Sequence, residues 1–175
     1  MHEKMLVIHG GGPTAVMNGS LYGVLNGARE RGVQNVYGAA GGLGGALRGR
    51  WLDLSPLAGA RMEALLRTPG TVIGTAREPV AETDFDRIAD TVARAGFTHV
   101  LMSGGNGTMA ACERLAECCR PRGIPVMGIP KTMDNDLAHT DHSPGYGSAA
   151  RFLAFATADA RSEEHTSELQ SLRTI

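Results

Sequence analysis

Three things are scarce in this chain of 175 residues, and each scarcity closes off a class of function. No run of about 20 apolar residues occurs, the length a helix needs to cross a bilayer. The opening Met1-His2-Glu3-Lys4 passes directly into a strand-like segment, unlike a secretion signal. Cysteine is confined to Cys112, Cys118 and Cys119, all on one expected helix, too close together for a disulfide framework or a tetrahedral metal set. A soluble protein of the reduced cytoplasm is therefore expected. Net charge is missing too: 17 Lys and Arg stand against 18 Asp and Glu, leaving −1. Nothing electrostatic then favours a nucleic acid or a membrane surface, and a small-molecule partner is expected.

Glycine, by contrast, is abundant. The 24 glycines have no collagen-like period and collect at the ends of short apolar segments, as turns and ligand loops do. The length suits one domain with a real core. Residues 5–8 form an apolar run stopped by glycines, after which Met17, Leu21, Val24, Leu25 and Ala28 recur at helical spacing. Further short runs at 33–40, 72–73, 99–102 and 126–129 read as strands, with Phe85, Ile88, Ala89 and Val92 marking a helix among them and residues 109–119 another. This alternation predicts an α/β fold, an open three-layer parallel sheet of Rossmann-like type. Residues 104–108 and 130–136 each follow a strand, at the carboxyl ends where such sheets hold ligands.

The densest chemistry lies in Pro130-Lys131-Thr132-Met133-Asp134-Asn135-Asp136, which packs a cation, a hydroxyl and two carboxylates into seven residues. Phosphoryl transfer needs a base for the attacking hydroxyl, oxygen ligands for a magnesium ion and positive charge near the phosphates, and Asp134, Asp136 and Lys131 are of those types. Two carboxylates one residue apart repel unless a cation or proton offsets them, although a solvated turn tolerates the pair. Gly10-Gly11-Gly12-Pro13-Thr14 and Gly104-Gly105-Asn106-Gly107-Thr108 add backbone N–H groups at strand-to-helix turns, which bind phosphate oxygens. Gly12 would let a phosphate approach the backbone, and the helix through Asn18 would point its positive end at the turn. Plainer roles are close strand-helix packing for the first turn and helix N-capping for Asn106. Arg77 closes Gly70-Thr71-Val72-Ile73-Gly74-Thr75-Ala76-Arg77, read as the end of a strand, and is either a phosphate clamp or a solvated arginine. His139 and His142 flank Asp141 without a third ligand nearby, so loop polarity explains them.

Taken together, residues 11–18, 74–77, 104–108 and 130–136 resemble the phosphofructokinase family in order and spacing, over about residues 5–160. The resemblance implies a phosphofructokinase N-terminal lobe, homo-oligomeric at full length. It implies phosphoryl transfer from ATP or pyrophosphate to the 1-hydroxyl of fructose 6-phosphate, with Mg2+. It assigns Asp134 as catalytic base with Lys131 and Gly107 at the reacting centre, and Thr132 and Met133 beside Asp134 in the sugar-contacting loop. Gly12, Arg77, Glu78, Gly105, Asn106, Gly107 and Thr108 match donor-binding positions, and Asn106 and Asp136 the metal site. Asn106 departs from the family, which usually has aspartate there, and a neutral amide holds a magnesium ion's waters more weakly. An aspartate at the position of Gly107 marks the family's pyrophosphate enzymes, so Gly107 points to ATP, whereas a lysine like Lys131 is common among pyrophosphate enzymes. ATP is the expected donor and pyrophosphate the alternative.

The resemblance covers only part of the family's length and leaves out the cations that hold the sugar phosphate, so the chain by itself is expected to have no appreciable turnover. Two other readings stand beside this one. A kinase of the NAD or lipid type shares a Gly-Gly-Asp-Gly-Thr loop but has no close equivalent of residues 130–136. A non-catalytic phosphate-binding or regulatory fragment is the other. Residues 161–175 are polar and unpatterned and resemble a translated sequencing adapter, so residues 1–160 are expected to form an incomplete nucleotide-binding domain followed by a non-native tail.

Overall fold

The computed structural model describes residues 3–76 and 80–171, with side chains described through residue 161. The first apolar run becomes β1 (Lys4–His9), and its alternating side chains enter two different cores. The other elements are α1 (Ala15–Glu30), β2 (Asn35–Ala39), α2 (Gly42–Leu47), β3 (Trp51–Asp53), α3 (Gly59–Glu63), α4 (Asp84–Arg94), β4 (His99–Gly104), α5 (Asn106–Cys119), β5 (Val126–Pro130) and α6 (Tyr146–Ser171). Single 3-10 turns follow α3 and α5.

Leu6 and Ile8 join Val100 and Met102 of β4 under Phe85, Ile88, Ala89 and Val92 of α4 and Cys112, Leu115 and Cys119 of α5. Val7 joins Val36 of β2 under Leu21, Leu25 and Ala28 of α1, with Met62, Leu65 and Ile73 alongside. Strands apolar on both sides demand cover on both sides, and the three-layer arrangement provides it. The sheet order is β3-β2-β1-β4-β5, parallel throughout except for the β2–β3 pair. From β1 the chain builds outward to β2 and β3, then returns to lay β4 on the other side of β1. The carboxyl ends of β1 and β4 therefore flank a topological switch point, the position at which open α/β sheets bind ligands.

The structure corrects the sequence reading in four places. Residues 72–73 form a turn, not a strand: Gly41 N–H donates to the Ile73 carbonyl at 3.0 Å, and Ile73 is buried where β2 has only Gly38. A Cβ on Gly38 would come within 2.6 Å of Ile73 Cγ2, so that glycine makes room for a core residue supplied by a loop. An antiparallel edge strand, β3, went unread because three residues are too few to show a period. So did α2, a glycine-rich segment of poor helix propensity. Finally, α5 begins at Asn106 with Gly105 as its N-cap residue, so Asn106 is helical and not the cap.

The chain divides into two compact units, Met1–Lys131 and Thr132–Ile175. The first holds the whole sheet. In the second, a loop leads into α6, which runs without a break past residue 160, and its described side chains are nearly all exposed, Phe152 at 70%. Among the described residues no helix is long and apolar enough to cross a membrane.

Candidate active site

In the first unit, three strand ends meet side by side. Gly10 N–H donates to the Ser103 carbonyl at 2.9 Å, which ties the turn after β1 to the end of β4. Lys131 N–H donates to the Gly104 carbonyl at 2.8 Å, which ties β4 to the residue after β5. Between the two glycine turns lies the side chain of Thr108, nearly buried in the first turn of α5. A Cβ on Gly104 would collide with Thr108 Oγ1 and lie 2.7 Å from the Gly10 carbonyl oxygen, and one on Gly10 would come within 2.5 Å of the same hydroxyl. Both positions admit only glycine because the turns are pressed together on Thr108. Gly11, at φ +75°, takes the left-handed conformation that opens the first turn.

These turns rim a cavity of about 540 Å³, lined by Gly10, Gly11, Gly12, Gly105, Asn106, Gly107, Thr108 and Lys131. Lys131 Nζ donates to the Gly12 carbonyl at 2.9 Å, so a fixed ammonium stands beside the first glycine turn. The positive end of α5 is at the same rim, as its first residue is Asn106. Fixed cation, helix N-terminus and backbone turns together make an anion cradle. The rest of the wall is apolar: Ile8, Leu43, Val80, Phe85, Met102 and Ala111.

Gly12, Gly105, Asn106, Gly107, Thr108 and Lys131 are thus brought to one cavity. Gly107 is exposed, and a Cβ there would meet nothing within 4 Å. Thr108 acts as the wedge between the turns in addition to lining the cavity. Arg77 and Glu78 lie outside the described residues; Ala76, just before them, lines the cavity. Asn18 turns out to be structural. Fully buried, it donates from Nδ2 to the Thr68 carbonyl at 2.8 Å and accepts from Val72 N–H at 2.9 Å. The apolar wall was missed: Phe85 read only as helix core, and Leu43 sits on a helix with no sequence signal.

The second unit opens with the rest of the seven-residue peptide. Asp134 N–H donates to Thr132 Oγ1 at 3.0 Å, and Met133, Asp134 and Asp136 are exposed. Asn135 between them has a φ of 57°. Its Oδ1 accepts from Ser143 N–H at 2.7 Å and its Nδ2 donates to the Asp141 carbonyl at 3.4 Å, so this loop is closed by one side chain. His142 stacks edge-on against Tyr146, ring centroids 5.5 Å apart, which gives it a packing role. Among the described residues no three His, Cys, Asp or Glu gather as a metal cluster. Magnesium usually takes one or two protein ligands and completes its shell with water and phosphate oxygens; by type, the exposed carboxylate of Asp136 in this unit suits it, and the exposed amide of Asn106 in the first unit is a weaker ligand.

The sequence profile described as Phosphofructokinase matches residues 4–171. The chain is 34% identical over 164 residues to a pyrophosphate–fructose 6-phosphate 1-phosphotransferase of Xanthomonas campestris, covering 90% of this chain and 39% of that one. It is 30% identical over 151 residues to an ATP-dependent 6-phosphofructokinase of Blochmanniella floridana, covering 85% and 45%. Among solved structures, the pyrophosphate-dependent phosphofructokinase of Marinobacter aquaeolei superposes with a TM-score of 0.77 at 30% identity, over 90% of this chain and 41% of that one. The chain spans about two fifths of the length of the curated relatives it matches.

Proposed function

The chain belongs to the phosphofructokinase family, and from that premise we propose that it carries the donor-binding side and the catalytic peptide of a fructose 6-phosphate 1-phosphotransferase whose donor is ATP. The observation that carries the donor assignment is the mixed lining of the cavity, where the glycine turns and Lys131 share the wall with the apolar Leu43, Val80, Phe85 and Ala111. Pyrophosphate has no use for an apolar wall, whereas a nucleoside triphosphate brings a base to cover it. Gly107, with open space where a side chain would stand, leaves room for a third phosphate.

In this reading the oxygen of the sugar's 1-hydroxyl attacks the donor's terminal phosphorus. The bond from that phosphorus to the rest of the donor breaks, and Asp134 takes the hydroxyl proton. Thr132 accepts the Asp134 N–H and holds the backbone that carries the base. Lys131 and the N–H groups of the glycine turns hold the donor's phosphates, with Arg77 and Glu78 completing that side. Asp136 and Asn106 would hold a magnesium ion, which neutralises phosphate charge when bound.

The cations for the sugar's own phosphate are proposed to lie in sequence beyond these residues, so the 175-residue chain alone turns over slowly or not at all. Residues 161–175 are proposed to be foreign to the native protein, which acts in the cytoplasm as a homo-oligomer.

A pyrophosphate donor is the second reading, favoured by Lys131 and by relatives named for that donor at 31–36% identity. Steady-state assays with ATP and with pyrophosphate, on a polypeptide extended to the relatives' length, separate the two. A kcat/KM at least about tenfold higher with ATP, a difference of ~1.4 kcal/mol in barrier, is expected. The reverse preference would replace ATP by pyrophosphate, and no transfer from either would leave a phosphate-binding protein.

A further inference from the structure

Directly beneath the cradle lies a buried polar group for which the proposed chemistry has no use. His9, the last residue of β1, is fully buried, and its Nδ1 is 2.6 Å from the hydroxyl of Thr71. Its register partner across the parallel β1–β4 pair is Ser103, so the two side chains share the sheet face that also carries Val7 and Leu101. His9 Nε2 and Ser103 Oγ, both buried, have no hydrogen-bond partner among the described atoms. An apolar residue at the end of β1 would avoid a buried, half-satisfied imidazole, which is unfavourable in a core. What such a residue would lack is the bond to Thr71.

Thr71 lies in residues 68–76, a segment with no regular secondary structure whose position comes almost wholly from outside itself. Asn18 clasps it at the Thr68 carbonyl and at Val72 N–H. Gly41 N–H binds the Ile73 carbonyl, and Thr75 Oγ1 donates to the Gly11 carbonyl at 2.9 Å, inside the first glycine turn. The segment ends at Ala76 on the cavity wall, and Arg77 follows. Thr68 is also bound to the preceding 3-10 turn, its hydroxyl donating to the Ala64 carbonyl at 2.7 Å, while the tethers from Asn18, Gly41 and Gly11 come from the β1–α1 region and the start of α2. Among them the His9 bond originates in the sheet itself, one residue before Gly10. Burial holds the imidazole down to about 4, so at neutral pH it is uncharged, with one ring nitrogen a donor and the other an acceptor.

We infer that His9 is a positioning residue for the donor site: through Thr71 it fixes residues 68–76 to the end of β1, and so sets where Thr75 braces the first glycine turn and where Ala76 delivers the chain to the cavity. This rests on the donor-site reading above for its consequence, but not for its mechanics.

The test uses the 175-residue chain, comparing it with Thr71→Val, Thr71→Ser and His9→Leu. Amide hydrogen exchange is followed at Gly41 and Gly74, with Leu6 and Val100 as sheet controls. Pyrophosphate and magnesium-ATP binding are measured by calorimetric titration. Thr71→Val and His9→Leu are expected to speed exchange at Gly41 and Gly74 at least about tenfold, with the sheet amides unchanged, and to weaken donor binding about tenfold. Thr71→Ser, which keeps the hydroxyl, is expected to match the parent, and combining Thr71→Val with His9→Leu to add little to either. Unchanged loop exchange, or an equal rise everywhere, would overturn the inference, as would loosened loop amides with undiminished donor affinity. Should the parent bind neither donor, the donor-site reading fails while the exchange data still decide whether His9 holds the segment. If His9→Leu does not fold, the Thr71 pair carries the comparison.

Discussion

The two halves of the seven-residue peptide belong to differently built parts of the chain. Lys131 closes the unit that holds the sheet, with its N–H on β4 and its ammonium on the first glycine turn. Thr132 through Asp136 open the other unit, where the carboxylates are exposed and one asparagine closes the loop. The phosphate cradle is thus preorganised by a core on both faces of the sheet, whereas the hydrogen bonds described for the loop of the proposed base are local ones. Binding a charged donor demands fixed dipoles and backbone N–H groups, which only a packed scaffold keeps in place. A proton acceptor can wait in solvent until a sugar arrives.

The sharpest way to break this contrast is to attack each side with a small change. Asp134→Asn, in a polypeptide of the relatives' length, is expected to lower kcat about 10²–10⁴-fold, and because Asp134 is exposed the thermal midpoint should stay put. A parallel fall in stability would mean that the peptide is structural. Gly104→Ala should do the opposite, driving a methyl group into Thr108 and the Gly10 carbonyl and destabilising the fold by about 3 kcal/mol. Urea denaturation checks it, and an unchanged midpoint would show that the turns are not pressed together.

Acid offers a subtler probe of the cradle's support. His9 titrates near 4 when folded against 6.5 ordinarily, so the unfolded chain binds more protons between those values. The stability due to neutral His9 is complete above about pH 6.5 and is lost as pH falls toward 4, a loss on the order of 3 kcal/mol over that interval. Denaturation midpoints should fall across this window in the parent chain and less in His9→Leu; equal slopes would remove His9 from the account. The smallest effect is expected from Gly107→Asp. Its side chain would enter open space, so stability should move by no more than about 0.5 kcal/mol. Use of ATP should nonetheless suffer at least about tenfold more than use of pyrophosphate, a difference of ~1.4 kcal/mol in barrier. Equal losses with the two donors would refute the steric argument.

Most of the sheet was legible in the chain, because β1, β2, β4 and β5 are apolar on both sides and α1 and α4 carry clear helical periods. Segments whose place is decided by contacts were not. Residues 72–73 look like a strand, yet Ile73 is a core residue on a loop, admitted by the missing side chain of Gly38. The apolar cavity wall draws Leu43 from a helix of glycines and Phe85 from a helix that reads as ordinary core. His9 looks like a plain strand end until Thr71, 62 residues away, is seen at 2.6 Å.

By itself, the amino-acid sequence determined the order of β1, β2, β4 and β5 and of the glycine turns, and the residue types of the cradle and the acidic peptide, since periodicity and turn chemistry act between near neighbours. The tertiary structure alone decided that three strand ends close on Thr108, that Lys131 reaches Gly12 across 119 positions, and that a loop without secondary structure is held by His9 and Asn18. Those are matters of which distant groups meet, and only the folded chain brings them within hydrogen-bond reach.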